Sequence, residues 1–213
     1  EAVLDVDTED AEVDLVIEDE ESILSEAVQA GVHQHWLSWH YRSQDESLIS
    51  FSNAHYYEGR LSSFPAPRSG SADPAVGGHG VSLVRVAGEF HRTGRGKLLR
   101  TNPIEAEAIV GELQRDHVDR RMAEALDDRE SEGLFIKNLE NVQGDERDVI
   151  FFSTGFGVND KGVLPLNFGP LNRGGGERRL NVAVTRARRQ GVVFSSFEPS
   201  QLRADETSSV GVK

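Results

Sequence analysis

Residues 177–196 read ERRLNVAVTRARRQGVVFSS, and this stretch decides the fold. Leu180, Ala183, Val184 and Ala187 recur at helical spacing, which predicts a helix over 177–188 with one apolar face. The run QGVVFSS at 190–196 then reads as a buried strand around Val192, Val193 and Phe194. A second run of this kind, DVIFFST, stands at 148–154, and a third, VSLVRV, at 81–86. Continuous apolar strands alternating with helices predict an α/β fold, with a mostly parallel sheet and helices on both faces.

The segments around these runs fit that plan. Asn102 and Pro103 form a helix start, and the helix is expected to reach about His117. A further helical stretch follows over 118–128, and a short strand is expected at 134–137. Towards the other end, residues 44–56 read as an amphipathic helix with Leu48, Ile49 and Phe51 inward. His35 to Trp39 alternate and read as a strand. Residues 21–30 read as a short helix with Ile23, Leu24, Ala27 and Val28 on one face and Gly31 as its stop. Residues 62–80 and 87–101 read as loops. Residues 1–20 alternate acids with Val, Leu and Ile and are expected to be an acidic linker. The main domain is expected over 21–205, with a linker beginning at 206–213.

Length and composition set limits on function. The chain has 213 residues, a hydrophobic fraction of 37% and a net charge of −13. That charge is unevenly spread: residues 1–30 hold twelve acids and no Lys or Arg, leaving 24 acids and 23 bases in the rest. Residues 60–100 carry seven bases against two acids, and residues 173–189 carry six arginines against one acid. Such basic stretches can meet phosphates, although solvated surface is the commoner use. No apolar stretch approaches the ~20 residues of a membrane helix, and no signal peptide is visible, so a cytoplasmic location is expected. The lack of cysteine excludes disulfides, zinc–thiolate sites and cysteine nucleophiles. With Glu1 first and Met122 the only methionine, the chain reads as a piece of a longer protein.

Several familiar sites are missing from the sequence. It has no GxxxxGK[ST] phosphate loop, no GxGxxG, no GxSxG and no HExxH. Gly174-Gly175-Gly176 precedes an arginine-rich helix, but a glycine triplet is more often a turn than an anion cradle.

Three segments carry more. The first is Trp39-His40-Tyr41-Arg42-Ser43, followed by Leu48, Phe51, Ser52, Asn53, Tyr56, Tyr57, Gly59 and Leu61. The second is Asn141-Val142-Gln143-Gly144-Asp145-Glu146-Arg147-Asp148-Val149-Ile150. The third is Arg179-Leu180-Asn181-Val182-Ala183-Val184-Thr185-Arg186-Ala187-Arg188. In this order they resemble motifs IV, V and VI of the second RecA-like domain of superfamily 1 helicases. The branch is the one typified by the nonsense-mediated-decay helicase. The longer runs are similar to large bacterial helicase-related proteins, some of which carry a Vsr-like nuclease domain after the helicase. The resemblance covers residues 22–61 and 81–213.

In such helicases ATP sits in a cleft between two RecA-like domains. The first domain supplies the phosphate loop and the groups that hold Mg; the second supplies arginines. An arginine placed on the transferring phosphoryl group is worth about 10³–10⁵ in rate. Guanidinium suits that task because it is planar and always charged. The resemblance implies that Arg42 and Arg186 contact the γ-phosphate. It also implies that Gln143, Gly144 and Glu146 border the nucleotide, with Glu146 accepting from ribose hydroxyls. The implied partners are single-stranded nucleic acid, DNA in preference to RNA, and the first RecA-like domain. Other readings of the residues are a non-catalytic binding module of the same fold, and a metal-dependent nuclease using Asp145, Glu146 and Asp148.

Other residues have plainer expectations. Asp145 and Asp148 fit caps or solvated groups better than metal ligands. His33, His35 and His40 have a spacing that brings zinc to mind, but nothing supplies further ligands. Trp36 and Trp39 are expected to pack in the core rather than stack on bases. Thr185 and Asn181 are expected to face the domain cleft or nucleic acid, or else to hydrogen-bond along the surface of their own helix. One departure from the family stands out: its strand and loop, roughly GVxTxxxxQ, are missing between Gln114 and Arg121, where helix runs into helix. Either the chain has a true deletion there or a stretch has dropped out of it, and the close flanking matches favour the second.

Overall fold

A computed structural model describes residues 22–65, 79–88, 90, 101–124, 134–142, 144–159 and 162–212. The acidic stretch, most of both expected loops and Gln143 lie outside these residues. The chain divides into two units, residues 1–37 and 38–213.

In the first unit Ser22 caps α1 (Ile23–Gln29), accepting from the Ser25 amide at 3.2 Å, and Gly31 follows in the left-handed region at φ +73°. The apolar residues Ile23, Leu24 and Val28 are exposed. The rings of His33 and His35 meet edge to face, with centroids 5.2 Å apart.

The second unit is built on three parallel strands in the order β1 (Gly80–Arg85), β3 (Ala187–Ser195), β2 (Arg147–Ser153). The central strand is the apolar run with which the sequence reading began. Alternation along it sends side chains to opposite faces. Val192 and Phe194 are buried with Val86 and meet Ala108, Ile109 and Phe151 on one face. That face carries α3 (Pro103–Glu124). On the other face Leu48 reaches Gly191, where an added Cβ would lie 3.6 Å from it. There α2 (Ser47–Tyr56) packs on β1 and β3, and α4 (Gly176–Val184) packs on α2. The fold is therefore α/β with a parallel sheet and helices on both faces, in keeping with a RecA-like domain.

Several expected elements differ. Residues 35–39 form no strand; only Trp39 makes an isolated bridge, to Ser62. Both tryptophans are about half exposed, at 51% and 54%, rather than in the core, and Trp39 packs edge to face on Phe64. Residues 134–137 pair with nothing in a sheet: Leu134 and Ile136 are exposed, and Phe135 lies under Lys137 and Arg147. Phe51 is 43% exposed because Leu48, Ile49 and Ser52 already fill the inward face of α2. Residues 114–121 lie within α3, which runs on to Glu124 as one helix.

The expected helix over 177–188 also ends earlier, at Val184. The Thr185 hydroxyl bonds back to the carbonyls of Asn181 at 2.9 Å and Val182 at 3.1 Å, which closes the last turn. Ala187 is then fully buried as the first residue of β3.

Gly176, at the start of α4, and Gly211 serve packing. A Cβ on Gly176 would lie 2.2 Å from the Leu171 carbonyl oxygen, and one on Gly211 would lie 2.8 Å from the Glu177 nitrogen. Residues 209–212 thus seat against the start of α4, with the Ser209 hydroxyl donating to Leu171 O at 2.9 Å.

Candidate nucleotide-facing site

The three sequence segments meet at the amino ends of the strands. The turn at 40–43 lies beside the start of β3: the Gln44 amide donates to Arg188 O at 2.7 Å, and the Ser43 hydroxyl to Ala187 O at 3.4 Å. The segment before β2 reaches the same place, with the Arg147 amide donating to Arg186 O at 3.3 Å. The sequence reading put a strand at 35–39, just before Arg42. Here no strand precedes it, and the cluster gathers at the amino ends of the strands.

Arg42, Glu146 and Arg186 are brought together. Arg42 Nε donates to Glu146 Oε2 at 2.7 Å, and Arg188 Nη1 to Glu146 Oε1 at 3.3 Å. Arg188 Nε also binds Asp148 Oδ1 at 2.7 Å. The hydrogen bond from Arg42 holds the Glu146 carboxyl below the usual carboxylate range.

Arg186 differs from its neighbours. It occupies the link between α4 and β3, not the helix. Its Nε donates to Val182 O at 2.8 Å, one of the carbonyls left open by the helix end. The negative end of the helix favours a cation there. Burial first, and the adjacent Arg42 guanidinium second, press its pKa below the ordinary arginine value. It lies within the field of Glu146 yet makes no ion pair with it. The ends of its guanidinium are thus aimed by a backbone carbonyl, and no carboxylate among the described residues takes them. Such a partly desolvated cation beside another cation favours an anion between them.

Gly144 sits at φ +91°, a conformation that favours glycine, and nothing would meet a Cβ there. Gln143 lies outside the described residues. The three acids of a metal-nuclease reading are all engaged by cations: Asp145 by Lys137, Asp148 by Arg188, and Glu146 by Arg42 and Arg188. Among the described residues no group of three metal-ligating side chains comes together. Asn181 Nδ2 donates to the Tyr57 hydroxyl at 3.3 Å, so Asn181 joins α4 to the end of α2. Sequence reasoning gives Arg188 no role beyond its segment; its place as the bridge between Glu146 and Asp148 was missed. The signal for it was the alternation of Arg186 and Arg188 about a buried Ala187.

Residues 112–198 match the AAA domain family, a stretch that includes Glu146 and Arg186 but not Arg42. The chain is 48% identical over 84 residues to a Mycoplasma genitalium protein described as an uncharacterized ATP-dependent helicase. It is 47% identical over 81 residues to that protein's Mycoplasma pneumoniae homolog. These alignments cover 39% and 38% of the chain, which spans about 7% of the length of either relative.

Proposed function

We propose that this chain is the second motor domain of an ATP-dependent superfamily 1 helicase. Its similarity to ATP-dependent helicases and to the AAA domain family supports a helicase motor domain. The observation that carries the finer reading is Arg186, a part-buried guanidinium aimed by a helix-end carbonyl beside Arg42 and, among the described residues, without an ion-pair partner. In this reading Arg42 and Arg186 stabilise the charge on the transferring phosphoryl group. Glu146, with Gln143 and Gly144, borders the ribose. Binding of the nucleotide would then exchange the Glu146–Arg42 contact for contacts to ATP.

A first RecA-like domain of the longer protein supplies the phosphate loop and the ligands for Mg. The cleft between the domains closes on ATP and reopens after hydrolysis, which moves a single strand of nucleic acid, DNA in preference to RNA. The test is ATP turnover with single-stranded DNA present, for the isolated chain and for the longer protein. The isolated chain is expected to turn over negligibly, because one wall of a cleft encloses neither nucleotide nor metal. Turnover by the isolated chain at the ~1–100 s⁻¹ of phosphoryl-transfer enzymes would sink the half-site reading.

A further inference from the structure

We propose that His40 is the positioning residue for Arg42: its ring folds residues 40–43 into the turn that presents the guanidinium beside Arg186. The inference rests on the function proposed above. The main chain of His40 is fixed first, by its amide donating to Ser62 O at 2.8 Å and by the Ser62 amide donating to Ser38 O at 2.7 Å. The side chain then reaches forward over Tyr41 and Arg42. Its Nε2 accepts from the Ser43 amide at 3.3 Å and lies 2.9 Å from the Ser43 hydroxyl. Ser43 is fully buried, and it and Gln44 are the residues tied to Ala187 and Arg188 at the start of β3. One polar bracket thus holds Arg42 in the same frame as the strand that follows Arg186.

The bracket sets the protonation state. A backbone amide only donates, so the Ser43 amide contact needs Nε2 as acceptor and the proton of the neutral ring on Nδ1; the single Ser43 hydroxyl proton then serves either Nε2 or Ala187 O. A proton on Nε2 would set two donors against each other. The surroundings oppose that proton as well: Arg42 faces the ring from its own turn and Arg186 from the link after α4, and burial adds to both. Together they hold the His40 pKa below its usual value, with burial the largest cause. Glu146 and Arg188 bear on the ring one contact further out, through Arg42, and Tyr57 lies beside Arg186. Because the native pKa is lowered, the bracket is intact above the ordinary histidine range. It is lost as pH falls through that lowered value.

The test uses ATP turnover by the longer protein, measured against pH. His40→Gln places an acceptor oxygen near the Nε2 position without a titrating group. It is expected to keep turnover within about threefold of wild type at neutral pH and to lose the acid limb of the profile. His40→Phe offers no acceptor and is expected to lower kcat about tenfold or more with little change in KM, towards the level of Arg42→Ala. An acid limb unchanged in His40→Gln would overturn the proposal. So would normal turnover in His40→Phe alongside an inactive Arg42→Ala, with the function of Arg42 left standing. Normal turnover in Arg42→Ala would overturn both that function and the positioning role. Should His40→Phe fail to fold, the pH profile of His40→Gln decides.

Discussion

The two ends of the sheet handle charge in opposite ways. At the carboxyl ends, Glu105 is fully buried, and among the described residues no cation pairs with it. Neutral donors surround its carboxylate instead: the Ser153 hydroxyl at 2.6 Å, the Gly155 amide at 2.8 Å, Asn102 Nδ2 and the Ser196 hydroxyl at 3.2 Å each, and the Thr154 hydroxyl at 3.5 Å. At the amino ends, the guanidiniums of Arg42, Arg186 and Arg188 face the carboxylates of Glu146 and Asp148, and all are partly open to solvent. The first arrangement is closed, with every lone pair of the carboxylate directed at a donor. The second has positive charge to spare. A saturated buried charge organises the fold, whereas an unsaturated, accessible one is ready for a ligand.

The sharpest way to break this comparison is Glu105→Ala. Removing the carboxylate strands its donors in the interior and is expected to cost about 3–5 kcal/mol of stability, the range for breaking a buried charged network. Denaturant unfolding of the second unit measures it. A loss below about 1 kcal/mol would show that water replaces the carboxylate and that this end is not closed.

Next in size is Arg186→Ala, expected to leave unfolding nearly unchanged and to lower ATP turnover of the longer protein roughly 10²-fold. Arg186→Lys should rescue it poorly, because a point charge does not reproduce the planar fork. Arg188 is no neutral control, since it bridges Glu146 and Asp148. Arg173, with a side chain 72% exposed and 3.7 Å from Glu140, serves better. Equal loss in Arg173→Ala would sink the special place given to Arg186.

The smallest effect belongs to Glu146→Gln. Its side chain is 41% exposed, so the pair with Arg42 contributes no more than about 1 kcal/mol. Its pKa is lowered, so that contribution is present above the ordinary glutamate range and lost as pH falls through the lowered value. Glu146→Gln should remove this acid sensitivity from the thermal midpoint; an unchanged pH dependence would remove Glu146 as its source.

Sequence patterns revealed the sheet because its strands are continuous apolar runs, which few other structures require. The arginine segments were legible through their resemblance to helicase motifs; those of Glu146 and Arg186 adjoin strand runs, whereas that of Arg42 lies far from any. The end of α4 was hidden, since Ala187 suits both the helical face and the first buried position of a strand. The strand expected at 35–39 was misread because exposed aromatics can alternate without a sheet beneath them. Glu105 escaped notice for a different reason. Asn102 and Glu105 look like an ordinary helix start, and the partners that bury the carboxylate come from Ser153, Gly155 and Ser196, far along the chain. His40 was read as part of the first segment and weighed as a metal ligand, not as a support for Arg42; its relation to Ser43 depends on a turn that spacing does not define.

Only Thr185 and Arg186 separate the last residue of α4 from the first of β3. Two residues reach at most about 7 Å when extended, so this joint has almost no slack. β3 is clamped between two strands and cannot slide. Any displacement of α4 along its axis must therefore act on the Arg186 guanidinium, which the Val182 carbonyl ties to that helix. A push on the helix is therefore expected to move this one cation with it.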